Sequence, residues 1–227
     1  MRTLGLDAGR PELLVVVHHR DLPLTQANVA IAADGGADGV FLIDHAGDGE
    51  GLLGVATQVR AQHPDLWMGV NLLGSSAARA MELVAGHDVD GVWSDAAGID
   101  LDGSPRARET LEIRQRTGFT GCYFGGVEFK YQPSLGDARR AAEAARGLVD
   151  VITTSGPGTG HAADLAKLEQ MRVGADGVPL AVASGVTPDN AGALVGVVEA
   201  VLVATGISRD FHHLDVEQVV ALRRVLG

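Results

Sequence analysis

PLAVASGVTPDNAGALVGVVEAVLVATGIS, residues 179–208, contains two apolar runs of strand length, and each run ends in small or hydroxyl-bearing residues. The first run is Pro179–Ser184, and Gly185 ends it. The residues that follow predict a helix over Thr187–Leu194, because threonine caps free N–H groups and proline suits the first helical turn. The second run, Ala200–Ala204, ends in Thr205–Gly206.

Two neighbouring parallel strands that end in this way expose bare N–H groups beside a helix N-terminus, which suits a phosphate dianion. The loops after strands seven and eight are also the usual phosphate site of an α/β barrel. We therefore predict that phosphate binds at Ser184, Gly185, Val186, Thr205 and Gly206. The alternative is that the first of these loops is only a tight turn with a helix cap.

An acidic residue leads into a short apolar run at four places, spaced about 50 to 60 residues apart: Asp38, Asp90, Asp150 and Glu199. Other apolar runs lie halfway between them, and helical patterns fill the gaps. The predicted strands are 13–17, 38–42, 66–72, 90–93, 119–124, 150–152, 180–183 and 200–204. Each run is continuous rather than alternating, as is typical of strands buried on both faces.

Strand and helix alternate eight times, which predicts parallel pairing with right-handed crossovers. No linker, charge block or low-complexity segment divides the chain. We predict an α/β fold, a (β/α)8 TIM barrel, with residues 1–227 as a single domain. The alternative is an open doubly wound sheet, but His18-His19-Arg20 stands where its glycine-rich dinucleotide fingerprint would follow the first strand.

The composition restricts the possible partners. Among 227 residues, 18 are basic and 29 acidic, and the net charge of −11 argues against nucleic acid or an anionic membrane as a partner. A single cysteine, Cys122, excludes an internal disulfide and fits a reducing compartment. No signal peptide or membrane span is evident. We predict a cytoplasmic protein, and a homo-oligomer is possible because barrels of this size often pair.

Polar residues stand at the predicted carboxyl ends of the first four strands, where barrel enzymes place their reactive groups. We predict that Asp44 and Asp95 act as acid and base and that Asn71 orients a substrate carbonyl or hydroxyl. Adjacent strand residues face opposite ways, so only one of His18 and His19 faces the mouth, and His18 is the candidate. Each of these side chains has a structural alternative, as a cap, a brace or a local hydrogen bond.

Lys130, in the fifth loop, is one of only two lysines in a chain with sixteen arginines. Because an ammonium can form a Schiff base or pair with a phosphate as a point charge, we predict that Lys130 holds a carbonyl or anionic group. The alternative is a solvated loop lysine. The sixth loop is rich in small residues that let N–H groups approach an anion, and it adds Gly156, Gly158, Thr159 and Gly160 to the predicted phosphate site. This loop could instead be a mobile lid or a plain connection.

The sequence predicts no cofactor and no bound metal. No Gly-Lys-Ser/Thr follows the sixth-loop glycines, so they do not form a Walker loop. A metal-dependent hydrolase stays open as a lesser alternative, and it would require His18, Asp44 and Asp95 to converge on one ion. The strand-one cysteine expected in phosphoribosylanthranilate isomerase is absent.

Two segments are distinctive together: DVITTSGPGTGH at 150–161 and PLAVASGVTPDN at 179–190. They resemble the BtpA family, which is named for a protein needed for photosystem I biogenesis. The resemblance implies a TIM barrel with a phosphate site, among relatives labelled nucleosidases or phosphoribosyltransferases. It also implies that Lys130 matches a lysine of that family's fifth loop. The chain departs from the family at Ala204, where glycine is expected. The resemblance assigns the following residues to the ligand pocket: Gly156, Thr159, Gly160, Ser184, Gly185 and Thr205.

Two hypotheses of different class follow. The first is an enzyme acting on a phosphorylated small metabolite, a sugar phosphate or nucleotide, by isomerase, lyase or nucleosidase/phosphoribosyl-type chemistry. The second is a non-catalytic, BtpA-like ligand-binding or assembly protein. An enzyme requires at least two titratable groups in an open pocket that faces the phosphate site, whereas a non-catalytic relic fills that volume with apolar side chains.

Overall fold

Eight parallel strands close into one barrel in a computed structural model that describes residues 2–46 and 49–227. Each strand pairs with the next, and β8 pairs with β1, so the predicted TIM barrel is confirmed and the open sheet is wrong. The strands are β1 Glu12–His19, β2 Gly39–Asp44, β3 Trp67–Asn71, β4 Gly91–Ser94, β5 Cys122–Gly126, β6 Val151–Ser155, β7 Leu180–Ala183 and β8 Ala200–Val203.

Helices follow the strands in alternation, and they pack around the outside of the barrel. The α-helices of the described ranges are α1 Leu22–Asp34, α2 Gly49–Gln62, α3 Ala77–Leu83, α4 Pro105–Thr117, α5 Ala138–Ala145, α6 Leu165–Ala175 and α7 Val216–Leu226. None of the helices in these ranges combines the length and apolar character needed to cross a lipid bilayer.

The crossover between β7 and β8 differs from the prediction, because it contains a 3₁₀ turn, Ala191–Leu194, instead of an α-helix over residues 187–194. The Asn190 Oδ1 accepts the Thr187 N–H at 2.9 Å, and the Thr187 carbonyl accepts the N–H of Ala191 at 3.0 Å. This tight turn leaves few residues before Gly196, whose φ is 83°, and so short a segment cannot offset the cost of α-helix nucleation. No helix dipole of useful length therefore points at the end of β7.

Alternation along the strands separates a barrel-facing row of side chains from a helix-facing row. Large rings fill the barrel interior, where Phe41 lies edge-on to Trp67, Trp93 and Phe124 at centroid distances of 5.1, 5.8 and 5.2 Å. The neighbours of Phe41 in β2, Val40 and Leu42, pack beneath the helices instead. The same alternation decides which polar residues at the strand ends reach the mouth.

The four periodic acidic residues each make the same set of hydrogen bonds at the amino-terminal end of the strands. Each carboxylate accepts the N–H of a residue in the preceding strand, and the N–H of the acidic residue donates to the carbonyl of that same residue. The carboxylate bonds are Leu13 to Asp38 at 2.8 Å, Met68 to Asp90 at 3.0 Å, Tyr123 to Asp150 at 2.7 Å and Leu180 to Glu199 at 2.7 Å. The returning bonds measure 2.7–3.0 Å.

An arginine from the helix of the neighbouring repeat pairs with each of these acids. The pairs are Arg60 with Asp90 at 2.5 Å, Arg114 with Asp150 at 2.7 Å, Arg172 with Glu199, and Arg223 with Asp38 at 2.6 Å. Because Arg223 lies in the last helix and Asp38 precedes β2, the fourth pair joins the end of the chain to its beginning. The four acid–arginine pairs thus form a ring that closes with the barrel.

We expect Asp90→Asn to lower the free energy of unfolding by about 3 kcal/mol, because the buried Arg60 guanidinium would lose its buried carboxylate partner and keep only the exposed Asp88. Urea denaturation measures this change. Asp88→Asn is the matched control, since Asp88 also pairs with Arg60 but is 66% exposed, and it should cost less than about 1 kcal/mol. Equal losses in the two variants would contradict a structural role for the buried pair.

Candidate active site at the barrel mouth

Asn71 and Asp95 form a hydrogen-bonded pair at the carboxyl ends of β3 and β4, where Asn71 Nδ2 donates to Asp95 Oδ1 at 3.0 Å. Burial raises the pKa of Asp95, while the Asn71 hydrogen bond and the charges of Lys130 and His45 oppose that rise. A carboxyl whose pKa lies above its ordinary value can hold a proton closer to neutral pH. The structure therefore places both residues where the sequence predicted them, in an arrangement suited to proton transfer.

His18 and His45 lie side by side at the ends of β1 and β2. The His18 Nδ1 and the His45 Nε2 are 2.9 Å apart, and the rings stack at 4.9 Å with an interplanar angle of 13°. Burial, with smaller effects from the charges of His45, His212 and Lys130, lowers the pKa of His18 to about 4. Burial likewise lowers the pKa of His45. At neutral pH the pair is uncharged, so it can both donate and accept hydrogen bonds.

The structure resolves which histidine of β1 faces the mouth. His19 turns toward the helix layer, where its Nδ1 lies 2.8 Å from Thr25 Oγ1 in α1. His18 continues the inward row of Leu14 and Val16. It therefore remains a site candidate, and His19 has a structural role.

Asp44 is not brought into this group. It follows Leu42 on the helix-facing side of β2, and its Oδ1 accepts the Ala46 N–H at 2.9 Å, so it braces its own loop. The prediction of an Asp44–Asp95 acid–base pair is thus not supported by the geometry. The next residue, His45, takes the inward position instead, and the pattern of alternation from Phe41 through Ile43 would have identified it.

Phe211, in the loop after β8, is a mouth residue that the sequence analysis missed. Its ring lies 4.3 Å from that of His18 and 5.2 Å from that of His45, and the side chain is 56% exposed. It covers one side of the histidine pair and restricts the access of water. The sequence contained one signal for this position, an aromatic residue within a polar loop that follows a predicted strand.

Lys130 lies over the mouth between the fifth and sixth loops. Its Nζ is 3.4 Å from Thr159 Oγ1, and its main-chain N–H donates to Ser155 Oγ at 2.7 Å. Its charge lowers the pKa values of both Asp95 and His18, so it lies within electrostatic range of these two side chains. The other lysine, Lys167, is half-buried and donates to the Glu128 carbonyl in the fifth loop and to the Ser155 carbonyl at the end of β6, which connects these two segments.

Part of the predicted phosphate site is already bonded within the protein. The N–H of Gly160 donates to Ser184 Oγ at 3.0 Å, and the N–H of Thr159 donates to the Tyr131 hydroxyl at 3.2 Å. The Ser184 hydroxyl in turn donates to the Gly158 carbonyl at 3.4 Å. These hydrogen bonds connect the fifth, sixth and seventh loops. The predicted direct contact of Thr159, Gly160 and Ser184 with phosphate is therefore not supported, because these groups already have partners within the protein.

The remaining N–H groups of the predicted site are free of such bonds. Among the described residues, no hydrogen-bond acceptor is found for the main-chain N–H groups of Gly185, Val186, Thr205 and Gly206. Thr205 and Gly206 open a 3₁₀ turn, Thr205–Ile207, whose first N–H groups are left over. Free N–H groups from two adjacent loops make an anion site possible without a side-chain cation.

Close packing explains the glycines around these amides. At Gly185, where φ is 71°, a Cβ would overlap the main chain of His161 and Ala162, and at Gly156 it would overlap the carbonyls of the same two residues. At Gly206 it would overlap the Val186 carbonyl. The sixth loop therefore lies directly on the seventh, and the seventh lies directly on the eighth.

A cavity of about 450 Å³ opens beside Asn71 and Asp95 and extends between the β3–α3 and β4–α4 loops. It lies across the barrel from the free N–H groups, since the strand order places β3 and β4 opposite β7 and β8. Within residues 2–46 and 49–227, no three His, Cys, Asp or Glu side chains are grouped closely enough to hold a metal ion. The convergence that a metal-dependent hydrolase would require is therefore not found.

Solved structures with the same fold cover nearly the whole chain. Phosphoribosyl anthranilate isomerase from Thermus thermophilus is 15% identical with a TM-score of 0.65, over 95% of this chain and 98% of that one. The isomerase from Thermotoga maritima is 12% identical with a TM-score of 0.67 over the same shares. The tryptophan synthase alpha subunit of Legionella pneumophila is 13% identical with a TM-score of 0.66, over 95% and 92%.

These similarities show the fold. No family model and no curated protein matches the chain. At 12–15% identity the reaction does not transfer from these structures, and the mouth residues themselves must carry any functional argument.

We expect the His18 imidazole to titrate near pH 4 in the folded protein, well below the ordinary value of 6.5, because its environment is desolvated. The unfolded chain then binds more protons than the folded chain between these two values, so stability falls as the pH is lowered from 6.5 to 4. Proton NMR titration of the His18 ring measures the midpoint. His18→Gln should flatten the pH dependence of unfolding over this range, and a His18 midpoint near 6.5 would contradict the buried, neutral pair.

Proposed function

We propose that this protein is an enzyme that acts on a phosphorylated small metabolite bound across the barrel mouth. The observation that carries the proposal is the pairing of unsatisfied N–H groups in the loops after β7 and β8 with titratable side chains on the opposite strand ends. An anion anchor on one side and an acid–base group on the other are the minimum that such chemistry requires.

The N–H groups of Gly185, Val186, Thr205 and Gly206 would hold the phosphate, and Lys130 would supply a positive charge near the centre of the mouth. The net charge of −11 makes a general attraction for anions unfavourable, so the site must act through short-range contacts. Main-chain N–H groups suit this role because they donate without adding charge that the surrounding carboxylates would neutralise.

Asp95 is the proposed acid or base, and Asn71 keeps its carboxyl in place. The neutral pair of His18 and His45 would bind a hydroxyl or carbonyl of the substrate, or relay a proton. The reaction class is an isomerase, a lyase or nucleosidase/phosphoribosyl-type chemistry on a sugar phosphate or a nucleotide. Several structures with the same fold bear names that refer to phosphoribosyl compounds, which agrees with this substrate class.

A second candidate is a non-catalytic ligand-binding or assembly protein of the BtpA type. The bonds from Ser184 to the sixth loop favour it, because they use groups that an enzyme could have offered to phosphate. The open cavity beside Asp95 favours the enzyme, since a non-catalytic relic has no need of that space. Membership of the BtpA family and homo-oligomer formation stay predictions.

We expect Thr205→Asp to weaken the binding of inorganic phosphate by at least about tenfold, because the added carboxylate would lie beside the free N–H groups. Thr205→Asn has the same shape without the charge and should stay within about threefold of the wild type. Thr205 is exposed, so neither change should affect the core, whereas a side chain at Gly185 would displace the sixth loop. Isothermal titration calorimetry measures the affinity for phosphate. Equal phosphate affinities of the two variants would contradict an anion site at Thr205.

We expect Asp95→Asn to lower kcat by about 10²–10⁴-fold on any phosphorylated compound that the wild type converts, with phosphate affinity unchanged. A panel of sugar phosphates and nucleotides, followed by phosphorus NMR, provides the assay. Asp44→Asn is the matched control, because Asp44 braces a loop on the other face of β2, and its kcat should stay near that of the wild type. Phosphate binding without conversion of any compound would favour the non-catalytic candidate.

A further inference from the structure

The cavity beside Asp95 is lined mostly by small or apolar residues, with the polar side chains of Asn71, Ser94 and Thr110 among them. Leu72, Ala77, Ala80, Ala97 and Trp93 form its apolar part. Each of these five side chains is at most 6% exposed, so the walls belong to the packed body of the protein. Larger side chains at the alanine positions would fill this open space if packing alone mattered.

The charges around the cavity favour an uncharged occupant. Arg106 and Glu109, both in α4, lie at the rim with opposite signs, so the rim has no net charge. Of the three ionisable side chains that line the cavity, Arg106 and Glu109 are exposed, and only Asp95 lies inside, where burial works against its charged form. A carboxylate group of a ligand therefore finds no buried partner of opposite sign within these walls.

The position of the cavity relates it to the anion site. It opens at the ends of β3 and β4, while the free N–H groups lie at the ends of β7 and β8, on the far side of the mouth. A molecule that reached from one to the other would pass over Asp95, His18 and Lys130. The bond nearest the centre of such a molecule would lie within reach of these groups.

We propose that this cavity is a subsite for an uncharged, largely apolar ring, so that the substrate carries such a ring at one end and a phosphate at the other. The ring rests against Leu72, Ala77 and Trp93, and the bond next to it faces Asp95. This assignment of the substrate class rests on the proposed function, but the cavity itself can be tested without phosphate.

Nuclear magnetic resonance of the two tryptophan indole N–H groups provides the test. Trp93 lines the cavity, whereas Trp67 lies at the amino-terminal end of β3 and serves as an internal reference. Loss of one signal in Trp93→Phe assigns the two resonances. Benzyl alcohol, an uncharged ring, is titrated into the full-length protein, and the Trp93 signal should move in a saturable way while the Trp67 signal stays in place.

Charge and space are tested by matched pairs. Benzoate has the same ring with a negative charge, and it should bind at least about tenfold more weakly than benzyl alcohol. Ala78→Phe narrows the cavity and should weaken the binding of benzyl alcohol by about tenfold or more. Ala144→Phe, at a similarly half-buried helix position in α5, is the control, and its affinity for benzyl alcohol should stay within about twofold of the wild type. If Ala78→Phe unfolds the protein, Ser75→Phe in the adjoining loop replaces it.

Three results would overturn the proposal: a Trp93 signal that does not respond, tighter binding of benzoate than of benzyl alcohol, or wild-type affinity in both narrowing variants. Inorganic phosphate is titrated separately into the same samples. If phosphate fails to bind while benzyl alcohol binds as expected, the proposed function fails and the ring subsite survives. If phosphate binds and benzyl alcohol does not, the anion site survives and the ring subsite is wrong.

Discussion

The barrel depends on a carboxylate that bonds an arginine and a main-chain N–H at the same time, four times around the amino-terminal end. In each repeat the acid connects an odd strand to the even strand beside it, and the arginine comes from a helix of the neighbouring repeat. Buried carboxylates are costly unless they are paired and hydrogen-bonded, and Asp90 and Glu199, the two buried acids of the ring, have both kinds of partner. The pair of Arg223 and Asp38 closes the ring, so this interaction is complete only when the whole chain has folded.

This arrangement separates stability from function along the barrel axis. The ion pairs and the first residues of the strands occupy one end, and the polar strand ends and long loops occupy the other, as is usual for barrels of this kind. Because the strand register is fixed at the amino-terminal end, alternation fixes which side chains enter the mouth. His18, His45, Asn71 and Asp95 owe their common orientation to that register.

Two environments meet at the mouth. On the side of β1 to β4, burial lowers the pKa values of His18 and His45 and raises the pKa of Asp95, so it acts against the charged form of each side chain. On the side of β7 and β8, main-chain N–H groups provide positive potential in a molecule with a net charge of −11. The sixth loop is bonded to both neighbouring loops through Thr159 and Ser184, and these bonds hold the three loops together.

The sequence by itself determined the eight strands, their parallel order and the period of the acidic residues, because apolar runs and helix boundaries are local signals. It also predicted that Asn71 and Asp95 lie at strand ends and Lys130 in the fifth loop, because polar residues that end apolar runs are a local signal; their roles in a reaction stay predictions. Only the tertiary structure decided that His45 rather than Asp44 faces the mouth, because a shift of one residue reverses the face of a strand. It alone revealed the arginine partners and the internal bonds of Ser184, since these contacts join residues that are distant along the chain and meet only when the barrel closes.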